Sequence, residues 1–217
     1  MTSLGIDFGT SNCTAFLDLP AAGGLGAVPL EGDSPVMPTV LFTARRESAD
    51  PHDDAYWDQT YLSLLQSGGS VLFGTPALEA YRADPLSGVL VRSPKSFLGS
   101  DLPPGYTDAF RASVAQILRH IRTRAEAFGD RPVSHAVIGK PVHYHGMSGS
   151  AGDAQALQVM ADAAREAGFA GAVFVPEPVA ACMRYESTVS EDQVVLVVDV
   201  GGGTTDCAVV RVGPSHR

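Results

Sequence analysis

Residues 194–212 constrain the fold more than any other stretch. Val194 to Val198 is an apolar run rich in β-branched residues, the pattern of a buried strand. It ends at Asp199, and after Val200 come Gly201, Gly202, Gly203, Thr204, Thr205 and Asp206. Cys207 to Val212 is apolar again, so the unit reads as strand, turn, strand. Glycine suits such a bend because it lacks a Cβ. Its backbone N–H groups can form a concave nest for an anion. Asp199 and Asp206 flank the nest, where they can serve a hydrated magnesium ion, a cation that takes oxygen ligands and keeps its waters. One glycine turn says little, since many hairpins carry one for steric reasons. The N-terminus repeats the grammar, however: apolar Leu4 to Ile6, then Asp7, Gly9, Thr10, Ser11 and Asn12, then Cys13 to Leu17. Two hairpins of one design can close on a single phosphate group from two sides.

The 217 residues suffice for one large domain or two small ones. No run is long and apolar enough to span a membrane. Met1 to Ser3 leaves no room for a signal peptide, so a cytoplasmic chain is expected. The net charge is −9 with no basic block, which argues against nucleic acid as a partner. It does not argue against ATP, whose phosphates are met by local N–H groups, lysine and metal. Cys13, Cys182 and Cys207 show no CxxC spacing and read as small buried apolar residues of a reducing compartment.

Between the hairpins, residues 20–26 read as a loop, residues 28–30 as a short strand and Pro38 to Thr43 as a firmer one. Residues 45–54 read as a surface excursion, and Tyr56 to Leu65, with Trp57, as a short packing helix. After a strand at residues 71–74, Thr75 and Pro76 look like the N-cap and first residue of a helix running to Ala83. The steps of three and four from Phe110 to Phe128 predict a long helix. A strand at 133–141 precedes His143 and His145, which could share a metal but read better as loop histidines. Asp153 is placed to cap a helix ending near Ala167. A strand at 172–175 leads to a helix opened by Glu177 and Pro178, where the carboxylate reads locally as a cap. Strands joined by crossover helices make a mixed α/β sheet.

Gly5 to Asn12, Pro94 to Gly99, Glu177 to Ala181 and Asp199 to Asp206 occur in the order and approximate spacing of the heat-shock protein 70 family. The wording of Ser93 to Gly99 and Val198 to Cys207 resembles the YegD-type branch, described as chaperones. The resemblance covers residues 4–212. It implies an α/β fold, a ribonuclease H-like or actin-like ATPase lobe with a smaller inserted subdomain. Residues 1–39 and 116–188 would form the first subdomain, 40–115 the insertion, and 189–217 the opening hairpin of a second lobe.

It also implies roles. Gly9, Thr10, Ser11 and Asn12 would touch the β- or γ-phosphate of ATP or ADP, and Gly201, Gly202, Gly203 and Thr204 would cradle the γ-phosphate. Asp7, Asp199 and Asp206 would serve magnesium, with potassium a second candidate cation. Lys95, Glu177 and Asp199 would be catalytic: the lysine orients the attacking water, Asp199 helps place it, and Glu177 links the site to the domain interface. Unfolded polypeptide clients and co-chaperones would act through regions outside these residues. The sequence of residues 45–69 and 139–145 departs from the family pattern. Only the opening of the second lobe falls within the chain, so the piece alone is expected to bind ATP weakly. Its hairpin at 194–212 would then pack on another copy, lie against the first lobe or be mobile. Two other readings stay open: an actin-type nucleotide-dependent switch or assembly scaffold, and a sugar- or acetate-type kinase.

Overall fold

The computed structural model describes residues 3–19, 24–44, 70–100, 105–144, 149–202 and 205–216. β1 (Ser3–Phe8) and β2 (Asn12–Leu19) form an antiparallel hairpin. β8 (His135–Lys140) lies parallel to β1, and β9 (Gly171–Pro176) parallel to β8. β3 (Gly24–Ala27) and β4 (Val36–Pro38) both pair with β2, completing a six-stranded mixed sheet. Alternation along β1 sends Leu4, Ile6 and Phe8 into the core.

Two helices cover that core. α2 (Tyr106–Gly129) buries Val114, Ile117, Leu118, Ile121 and Ala125. α3 (Gly149–Glu166) packs against α2 and buries Ala156, Met160, Ala163 and Ala164. α3 carries the chain from β8 to the parallel β9, as a crossover must. Arg124 ties α2 to the loop before β4 by donating to the carbonyls of Pro29 and Gly32.

A second sheet, β6–β5–β7, comprises Val71–Phe73, Val40–Ala44 and Gly88–Arg92, with α1 (Gly74–Ala83) against it. The third sheet is the hairpin of β10 (Gln193–Val200) and β11 (Thr205–Val212), backed by α4 (Glu177–Glu186). Val195, Val197 and Val210 are half-buried and Val212 buried, while Val194, Leu196, Val198, Val200 and Val209 are exposed. A two-stranded sheet is marginal by itself. Its α4 contact, the Tyr185 hydroxyl donating to Gln193 and the Gly213 N–H donating to Glu186 anchor it to α4.

Several local expectations change. Residues 24–27 form a strand despite their glycines, because the edge of β2 offers free backbone partners. Val28 and Leu30 are buried outside any strand. The run from Pro38 to Thr43 divides at Thr39 between two sheets. α1 starts at Gly74, not after a Thr75 cap, and the carboxylate of Glu31 accepts the Thr75 N–H at 2.7 Å. Asp153 lies within α3, four residues past its start, and its carboxylate accepts the Tyr144 N–H. Glu177 is the first residue of α4 and makes no capping bond. Cys207 is exposed, unlike Cys13 and Cys182. Trp57 and the helix expected around it lie outside the described residues.

Candidate functional site

β1, β8 and β9 run parallel, so their C-terminal ends open on one edge of the sheet. Open α/β sheets place ligands at that edge. Here Asp7 comes from the end of β1, Pro141, His143 and Tyr144 from the segment after β8, and Glu177 from the residue after β9. All line one cavity of 390 Å³. The first glycine bend adds Gly9, Thr10, Ser11 and Asn12, and the second adds Asp199, Gly201 and Gly202. Of the expected residues, Gly203 and Thr204 lie outside the described residues. Asp206 is paired in register with Asp199 on the neighbouring strand and does not line the cavity.

The two bends touch. A Cβ built on Gly202 would overlap the Oγ of Ser11, and one on Gly9 would drive into the carbonyl oxygen of Asn12. The first bend is therefore too tight for a side chain, and the second approaches it too closely for one.

Lys95 sits in a 3-10 turn, Pro94–Phe97, after β7. It is only 7% exposed, and its ammonium donates to Glu177 Oε1 at 2.5 Å. A lysine this buried needs a carboxylate partner, and Glu177 supplies it across 82 residues of sequence. The turn is entered through Ser93 at φ 50°, a left-handed conformation that costs a non-glycine residue energy. The strain aims the turn at the cavity instead of continuing β7.

Thr39 holds that turn to the first bend. Its hydroxyl donates to the Gly9 carbonyl at 2.7 Å, and its N–H donates to the Ser11 carbonyl at 2.9 Å. Its own carbonyl accepts the Ser93 N–H at 2.9 Å. Sequence reasoning missed Thr39, although a hydroxyl inside an apolar run was the available signal. Cys13 lies against the same hydroxyl at 3.2 Å, and burial pushes its thiol up to about 12, so it is inert.

The electrostatics are lopsided: among the described residues of the lining, Asp7, Glu177 and Asp199 face a single ammonium, that of Lys95. Burial, then the nearby charges of Glu177 and Asp199, raise the Asp7 carboxyl above its ordinary 3.8, with Lys95 opposing them. A divalent cation at the Asp7–Asp199 side would relieve that repulsion. Among the described residues, no group of three His, Cys, Asp or Glu side chains could hold a metal alone. The two carboxylates on the lining, Asp7 and Asp199, are oxygen donors of the kind that a hydrated magnesium ion takes.

Asp7→Asn follows from this. A carboxyl with a raised folded value favours folding below its unfolded range and loses that contribution as pH rises. The variant removes this cost, so its melting temperature at pH 7 should exceed that of wild type without metal. The gap should close as pH falls below about 4, near the ordinary carboxylate value. A gap independent of pH would remove the assigned repulsion.

Residues 109–215 match the family model described as Hsp70 protein. The chain is also similar to the chaperone protein DnaK of Picrophilus torridus, 28% identical over 218 residues. The second half of the chain is thus similar to Hsp70 proteins. The match to DnaK covers 97% of this chain but 30% of that protein, so the chain spans about a third of that relative's length. The mixed sheet with its crossover helix is consistent with the actin-like lobe that the resemblance implies. Among the described residues, no helix is long and apolar enough to cross a membrane.

Proposed function

We propose that this chain carries the phosphate-gripping side of an ATP-hydrolysing, magnesium-dependent chaperone, similar to the YegD-type branch of the Hsp70 family. The reading rests on one observation above the others: Gly202 lies against Ser11 at a cavity that also holds Lys95. Two anion nests with an ammonium between them suit the terminal phosphates of a nucleotide better than any uncharged ligand. Gly9 to Asn12 would take the β- and γ-phosphates, and Gly201 to Thr204 the γ-phosphate. Magnesium, when bound, would offset phosphate charge near Asp7 and Asp199, with Asp206 one strand further out.

In this reading Lys95 aligns the attacking water and offsets charge on the γ-phosphoryl group, and Asp199 helps place the water. Phosphoryl transfer asks mainly for position and neutralised charge. Glu177 fixes Lys95 and, at the start of α4, connects the site to the helix behind the β10–β11 hairpin. That path would let nucleotide state reach the rest of the protein and its polypeptide clients. The division into residues 1–39 with 116–188, an insertion at 40–115, and a hairpin from 189 that opens a second lobe belongs to the same proposal.

Phosphate release by the full-length protein tests this. Turnover of ATP should require magnesium, stop with a chelator and rise when an unfolded polypeptide is added. Equal turnover without divalent cation, or no ATP binding at all, would overturn it.

A further inference from the structure

The segment after β8 carries a pair that the roles above leave unused. His143 Nδ1 lies 2.9 Å from Asp153 Oδ2, and Asp153 Oδ1 accepts the Tyr144 N–H at 2.7 Å. Both oxygens of Asp153 are engaged. These two hydrogen bonds, that from His143 first, hold its carboxyl below the ordinary carboxylate range. An ionised carboxylate only accepts, so in the neutral imidazole Nδ1 carries the hydrogen and Nε2 keeps its lone pair. His143 lines the cavity, and its side chain, 79% exposed, stands at the open mouth.

We infer that His143, oriented by Asp153, is the general base that takes the proton from the attacking water. This rests on the nucleotide reading of the cavity. The other candidate bases are committed: Glu177 holds Lys95, while Asp7 and Asp199 face each other where the cation would sit. A carboxylate is also repelled by phosphoryl oxygens, and a neutral imidazole is not. Charged groups near the pair are Lys140, which acts on Asp153, and Asp7, Lys95, Glu177 and Asp199 on the cavity lining.

The step balances without a further reactant. The water oxygen bonds to the γ-phosphorus as the bond to the β–γ bridging oxygen breaks, and that electron pair leaves on ADP. The water proton passes to Nε2 and from there to solvent at the mouth. Asp153 does not touch the reacting atoms and acts as a positioning residue.

In the full-length protein with saturating MgATP, His143→Gln should lower kcat about 100-fold, the scale of a lost general base, with KM nearly unchanged. Asp153→Asn should cost about tenfold, because an amide can donate to Nδ1 and reverse the tautomer. His143→Ala should regain turnover with added imidazole, because the vacated site is open to solvent. Melting temperatures and MgATP titration check that each variant folds and binds. A His143→Gln variant that turns over at the wild-type rate, or a folded, MgATP-binding His143→Ala that imidazole does not restore, overturns the role of His143 alone. A wild-type protein that neither binds nor hydrolyses MgATP overturns the nucleotide reading itself.

Discussion

Lys95→Met in the full-length protein should lower ATP turnover about 10²- to 10³-fold, the usual effect of removing a preorganised group that stabilises charge in a transition state. Methionine preserves most of the buried stem, so the 3-10 turn keeps its packing. What is lost is the ammonium that Glu177 holds at 2.5 Å on the cavity wall. The glycine bends supply most of the phosphate grip, so MgATP affinity should change far less than turnover. The variant leaves Glu177, 19% exposed, without its cation, and removing one partner of a buried pair costs about 3–5 kcal/mol when burial is complete. The solvent that still reaches Glu177 brings the expected loss below that range. Lys95→Arg should not restore the rate, since a planar fork cannot take the place of a point charge in this turn. Single-turnover kinetics separate chemistry from binding. Wild-type chemistry in the Met variant would remove Lys95 from the mechanism.

The legible parts of the sequence are those where chemistry and geometry coincide locally. Asp7 to Asn12 and Asp199 to Gly202 stand out only as a pair, because each sets a carboxylate beside glycine between two apolar strands. α2 was readable from its apolar spacing alone. The unreadable parts depend on distant partners. Nothing local marks Glu31 as the group that meets the start of α1 in place of Thr75. Nothing local says that Glu177 would turn from its own helix to Lys95. Asp153 looked like a cap, and became instead the anchor of His143 and Tyr144, ten and nine residues away. Thr39 escaped notice because its importance lies in joining two sheets, a property of the tertiary structure. In each case the local reading failed where a long-range polar contact replaced the nearest available partner.

Gly202→Val carries the second large expected effect. Valine adds bulk where even a Cβ would overlap Ser11, so the second bend must withdraw from the first. Losing a hydrogen bond to a charged phosphate costs about 1.5–3 kcal/mol, on the order of 100-fold in affinity. The affected residues lie at the exposed tip of the β10–β11 hairpin, outside the buried core, so the melting temperature without nucleotide should hardly move. Calorimetric titration of MgATP into the full-length wild type and Gly202→Val therefore bears most directly on whether both bends grip one phosphate. The account predicts clear binding by wild type and a loss of about 100-fold in the variant; equal affinities in the two proteins would contradict it.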